Sequence, residues 1–155
     1  MRQSSIMALC VILQLTLSWA SAPKRYLFDN STTVKSEFDK TWEAVISYFA
    51  KNNISIKTLE KASGIIAAEV QTFQKGWIDC GKAGFGAKFL DPASGVFNVF
   101  VREVSDGTCD IQVNAIFSIE KLDTFNNRSA GRVSCNSTGE FEAGLLQYVY
   151  EYASR

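Results

Sequence analysis

The chain has 155 residues, with 16 basic and 16 acidic side chains and no histidine. Without histidine, Ser-His and Cys-His nucleophilic catalysis and the commonest zinc ligand sets are excluded. The charge balance lacks the basic excess of a nucleic-acid-binding protein, and no run of like charges indicates a membrane-surface or polyanion partner. We therefore predict that the protein is not an enzyme, has no catalytic residues, and uses no metal or other cofactor.

Residues 1–22 have the pattern of a secretory signal peptide. Arg2 supplies the positive amino-terminal region, an apolar run follows at 6–17, and residues 18–22 form a cleavage region rich in small side chains. The apolar run is shorter than the about 20 residues that a spanning helix needs. We expect residues 23–155 to be exported as a single domain, periplasmic or secreted, into an oxidising compartment.

The cleavage region places the amino terminus of the mature protein between Ser21 and Lys24. Cys10 lies inside the apolar run, which raises the alternative of lipidation at that cysteine. However, Leu9 stands where a bacterial lipobox needs Gly, Ala or Ser. We therefore predict a mature chain without a lipid anchor.

The amino-terminal part of the domain predicts a short edge strand and a helix. Residues 23–29 are typical of an edge strand, and residues 30–33 offer several N-cap side chains. A helix is predicted from there to about Lys51, or from a later start at which Ser36 and Asp39 form a capping box. Its apolar positions recur at spacings of three and four, so that one face is buried: Val34, Phe38, Trp42, Val45 and Phe49.

The rest of the chain predicts strands and one further helix. The strands are expected at 54–59, 65–73, 96–104, 109–120 and 132–135. The first four form two hairpins, while residues 74–94 and 121–131 are predicted to be loops. A final helix is predicted from Ser137, where Ser137 and Glu140 match a capping box. The predicted fold is α+β, an antiparallel sheet with two helices packed on one face.

Three cysteines remain in the mature chain. Cys80 and Cys135 both lie at predicted strand ends, and we predict a disulfide between them that anchors residues 76–94 against the start of the last helix. Cys109 belongs to the inward-facing row of a strand, where a free thiol behaves as a small hydrophobic side chain. The competing pairing is Cys80 with Cys109.

The loop at 74–94 is rich in glycine and in aromatic residues. Its Gly81–Gly86 segment lacks the spacing of a phosphate-binding loop, and a flexible connection is its simplest interpretation. The alternative is a binding loop in which Trp77, Phe85 and Phe89 contact a partner, because exposed aromatic side chains are typical interface anchors.

Two acidic residues open the last predicted helix. Glu140 and Glu142 are expected in its first turn, where negative charge is favourable. They point about 200° apart on a helix, which argues against paired carboxylates for acid–base chemistry.

Three segments resemble a bacterial envelope-lipoprotein pattern. They are FDKTWEAV at 38–45, NISI at 53–56 and EKASGII at 60–66. The pattern is similar to the helix-grip domains of the C lipoprotein of the outer-membrane β-barrel assembly machinery. The resemblance covers about 30 residues and implies a periplasmic helix-grip domain with an interaction role. It assigns no functional residues.

The sequence therefore favours an exported, non-catalytic binding or assembly domain of the bacterial cell envelope. Its expected partner is a protein or another envelope component, not a nucleic acid, and we expect no transmembrane segment in the mature chain. The main alternative is a carrier that holds a small apolar ligand between the sheet and a helix. A carboxylate-based hydrolase is the third and weakest interpretation.

Overall fold

The computed structural model describes residues 20–73 and 75–154. Most of the predicted signal peptide, residues 1–19, lies outside this range. Within these residues the helices are α1 (Phe38–Lys51) and α2 (Glu140–Ala153). The strands are β1 (Ala20–Ser21), β2 (Ser31–Val34), β3 (Ser55–Glu60), β4 (Ile65–Val70), β5 (Ile78–Asp79), β6 (Lys82–Ala83), β7 (Ala87–Ser105), β8 (Thr108–Asp123) and β9 (Arg128–Ser137). A single 3-10 turn occupies Lys75–Trp77.

The sheet is antiparallel and is built around two long strands. Its order is β3-β4-β7-β8-β9-β5, and β2 adds to the edge of β8. Strands β7 and β8, of 19 and 16 residues, pair from Ala87 opposite Asp123 to Ser105 opposite Thr108. They therefore carry the turn between β8 and β9 away from the helices, while β9 itself ends at Ser137, shortly before α2. The short strands β1 and β6 form a separate two-stranded sheet.

Both helices pack on the same face of this sheet. Phe97 of β7 stacks on Phe141 of α2 with 4.0 Å between ring centroids, and the ring of Phe49 in α1 lies 6.1 Å from Phe97. All three side chains are fully buried. The predicted α+β class, with two helices against one face of an antiparallel sheet, is confirmed.

The first helix begins later than the capping residues at 30–33 suggest, close to the alternative start at Ser36. Residues 31–34 form β2, which pairs with Cys109–Gln112 of β8, and α1 starts only at Phe38. Two threonines and a valine fill most of β2, and β-branched side chains fit a pleated strand better than a helix. Val34 is buried as the periodicity predicted, but it reaches the core from a strand.

Both segments predicted as loops contain strand. β7 already begins at Ala87, and the irregular register between Leu90 and Ser94 accommodates Pro92, since proline is tolerated in a strand at a bulge. β8 and β9 likewise extend through most of 121–131, leaving a tight turn at 124–127. Residues 23–29, by contrast, form no strand.

The last helix begins at Glu140 rather than at Ser137. Gly139 is its N-cap, with φ of 90°, and a side chain there would collide with Phe28. The predicted capping box does not form. Instead, Ser137 Oγ accepts a hydrogen bond from the Gly139 N–H at 3.1 Å and donates one to Glu142 Oε2 at 2.8 Å.

Candidate functional site: an exposed aromatic tip

Two phenylalanine rings project from the end of the sheet that lies farthest from the helices. Phe85 precedes β7 and is 85% exposed, and Phe125 in the turn between β8 and β9 is 75% exposed. Their ring centroids are 5.7 Å apart. We call residues 82–88 and 121–128 the distal tip. Two large apolar side chains that touch each other in water form a small patch, which is the kind of feature that marks an interaction site.

The local backbone fixes the two rings in this exposed position. The Thr124 N–H donates to the Gly86 carbonyl oxygen at 2.9 Å, which ties the two segments together. Gly86 has φ of 72°, and a side chain at this position would collide with the Phe125 ring. The Phe125 N–H donates to Asp123 Oδ1 at 2.8 Å. The tip is therefore preorganised, which lowers the entropic cost of binding.

The two segments that carry the rings are rich in basic residues. The distal tip contains Lys82, Lys88, Lys121 and Arg128, with Asp123 as its single acid, so its formal charge is +3 in a chain that carries none overall. None of the four cations forms an ion pair within the described part of the chain. The sequence did not suggest this cluster, because its members come from two separate segments that pair only in the folded sheet.

The first described residues also lie at the distal tip. Ala20 pairs with Ala83 and Ser21 with Lys82, and the Ala20 side chain lies against Gly84. The amino-terminal chain therefore reaches the domain next to Phe85. Cleavage after Ala22 would remove both residues of β1.

Only one of the three aromatic residues predicted to contact a partner is exposed. The prediction for Trp77 is wrong, since this side chain is only 6% exposed and packs 4.9 Å from the Phe141 ring and 5.5 Å from the Phe73 ring. Phe89 is half-buried and packs against the core. Of the three predicted residues, only Phe85 is exposed, and Phe125, which was not predicted, forms the exposed pair with it.

Phe125 was missed because residues 121–131 were interpreted as a polar loop. A phenylalanine between Thr124 and Asn126 in such a segment was the available signal. A bulky apolar side chain at the centre of a polar turn has no core to enter, so it must face solvent or a partner.

The cysteines lie as the predicted pairing requires. Cys80 and Cys135 are at disulfide distance, with 4.3 Å between their Cα atoms, and 55 residues separate them in the sequence. The bridge joins the segment after β5 to β9 and holds Trp77 close to the start of α2. Cys109 is free and fully buried, and burial raises the pKa of its thiol.

A concave region lies between residues 25–30 and strands β8 and β9. This cleft has a volume of about 580 Å3. Glu142, only 2% exposed, lines it, and burial raises the pKa of its carboxyl group. Among the described residues that line the cleft, Glu142 is the one acid, so the pair of carboxylates that hydrolysis by acid–base catalysis requires does not converge here.

Comparisons with known protein families and with curated proteins gave no match for this chain. Within residues 20–73 and 75–154, no helix is long and apolar enough to cross a membrane. The same residues contain no cluster of three or more potential metal ligands from His, Cys, Asp or Glu.

Proposed function

We propose that this protein is an exported, non-catalytic binding or assembly domain of the bacterial cell envelope, and that the distal tip is its contact surface. The observation that carries this proposal is the exposed pair of Phe85 and Phe125. Turn hydrogen bonds hold both rings outward, although burying a phenylalanine side chain is worth about 1.5–3 kcal/mol. A partner that covers the rings would recover that free energy.

Export is supported by two independent features. Residues 1–22 have the three regions of a signal peptide, and Cys80 and Cys135 lie at disulfide distance. Disulfides persist in oxidising compartments such as the periplasm. The lack of histidine in the whole chain supports a binding role over catalysis.

The filled interior favours a binding domain over a carrier of small apolar ligands. A carrier would need a cavity of several hundred Å3 between the sheet and the helices. That space is occupied by aromatic rings: Phe97 lies 4.0 Å from Phe141 and 5.7 Å from Phe117, and Trp77 lies 6.4 Å from Phe97. The cleft beside Glu142 lies under the amino-terminal segment, outside the layer between the sheet and the helices.

Site-specific photo-crosslinking in an exporting bacterium tests the proposal. A photoreactive aromatic residue replaces Phe85 or Phe125 in the full chain, and the matched control replaces Leu59 of β3, which is 51% exposed at the other edge of the sheet. We expect discrete products with an envelope component from both tip positions and none from position 59. Identical products from all three positions, or none from any, would contradict the proposal.

A further inference from the structure

We infer that the distal tip binds the surface of a membrane that contains anionic lipids. This inference rests on the proposed function and specifies the partner of the same site. It combines three features of the tip: its exposed rings, its uncompensated positive charge, and the entry of the amino-terminal chain beside it.

The rings have the geometry of an interfacial anchor. Phe85 and Phe125 stand together on the turns at the end of a long pair of strands, so both can enter a flat surface at once without the rest of the domain obstructing them. The adjacent backbone is satisfied by its own turn: Phe125 N–H by Asp123 and Thr124 N–H by Gly86. Inserting the two rings therefore leaves neither of these amides without a partner at the boundary of the hydrocarbon.

The positive charge of the distal tip favours a membrane that contains anionic lipids. Four cations lie within the segments that hold the two rings, and Asp123, the one acid among them, is engaged by the turn. Each lysine or arginine near an anionic leaflet increases binding by about fivefold. The cores of protein interfaces are depleted of lysine. A partner protein with a purely hydrophobic surface would therefore leave the positive charge of the distal tip unpaired.

The direction of the chain places a membrane on the same side. Ala20 lies against Gly84, the neighbour of Phe85, and only two residues separate Ala20 from the apolar run at 6–17. During export that run enters the membrane. The tip is then the part of the described domain nearest to the bilayer from which the chain emerges.

Vesicle sedimentation tests this inference. The processed protein, isolated from the periplasm of an exporting bacterium, is mixed with vesicles of phosphatidylcholine alone or of equal parts phosphatidylcholine and phosphatidylglycerol. We expect it to sediment with the anionic vesicles only, and high salt should release it. Phe85→Ser and Phe125→Ser should each lower the partition coefficient about tenfold, and Lys88→Gln about fivefold.

Matched controls separate the tip from general surface effects. Leu59→Ser removes an exposed apolar side chain, and Lys35→Gln an exposed cation next to β2, at the opposite end of β8. Both controls should bind as the unmodified protein does. Circular dichroism before mixing establishes that each variant is folded, since all the substituted side chains are exposed.

Together, the vesicle and crosslinking experiments distinguish a wrong lipid partner from a wrong binding function. If the folded protein ignores anionic vesicles while the crosslinks at position 85 lead to a protein, the lipid inference is wrong and the binding function stands. Equal loss of vesicle binding in Leu59→Ser and Phe85→Ser would also overturn the inference. If neither vesicles nor crosslinked partners are bound through the tip, both proposals fall.

Discussion

Trp77 and Phe85 belong to one short segment, yet the structure assigns them opposite roles. Trp77→Ala removes a ring that contacts Phe73, Phe97 and Phe141 at centroid distances of 4.9–6.4 Å and leaves a cavity beside them. Truncating a buried tryptophan costs about 3–5 kcal/mol, and its 6% exposure places this case within that range. Phe85→Ala removes a ring that is 85% exposed and should change the free energy of unfolding by less than about 0.5 kcal/mol.

Urea unfolding followed by circular dichroism distinguishes the two variants. With a slope of about 2 kcal/mol per molar urea, the midpoint of Trp77→Ala should fall by roughly 1.5–2.5 M, while that of Phe85→Ala stays within about 0.3 M of the unmodified protein. Equal midpoints for the two variants would refute the assignment of Trp77 to the core. A large loss in Phe85→Ala would show that the distal tip contributes to stability.

Three further predictions concern the disulfide, the buried carboxyl group of Glu142 and the processing of the amino terminus. The double substitution of Cys80 and Cys135 by alanine should lower the free energy of unfolding by about 4 kcal/mol, since the bridge closes a segment of 55 residues; reductant should destabilise the unmodified protein and leave the double variant unchanged. Glu142→Gln should stabilise the protein at neutral pH. Burial raises the pKa of Glu142 in the folded state, so the unmodified protein loses stability as pH rises from about 4.3 through that raised value. Below about pH 4 the carboxyl group is protonated in both states, and the advantage of the Glu142→Gln variant should vanish. A Glu142→Gln variant that is less stable than the unmodified protein at pH 7 would contradict this. Intact mass of the exported protein should give an amino terminus between Ser21 and Lys24 without lipid, and an acylated chain would refute the processing prediction.

The sequence predicted those parts of the fold that depend on local pattern. The inward face of α1 follows from the spacing of Trp42, Val45 and Phe49, all of which are buried. The strict alternation at 109–120 likewise places Ile111 and Val113 in the core. In both cases the side-chain period alone decides which face meets the rest of the protein.

Features that depend on pairing between distant segments could not be predicted in this way. β7 continues through Pro92 only because β8 offers a partner on the far side of the bulge. Glu142 lies in the first turn of α2 as predicted, but the pattern did not predict that its carboxyl group is buried there and accepts a hydrogen bond from Ser137. The distal tip is the clearest case, since Phe85 and Phe125 are 40 residues apart and meet through strand register.

Signal-peptide cleavage would act directly on the distal tip. β1 pairs with Lys82–Ala83, so cleavage after Ala22 would uncover that short edge beside Phe85. The chain from Lys24 onward would stay attached, because Asn136 donates to the Lys24 carbonyl oxygen at 2.8 Å and the Tyr26 hydroxyl donates to Asp79 at 3.0 Å. Removal of the leader would thus uncover Lys82 and Ala83 at the distal tip without releasing the amino-terminal segment.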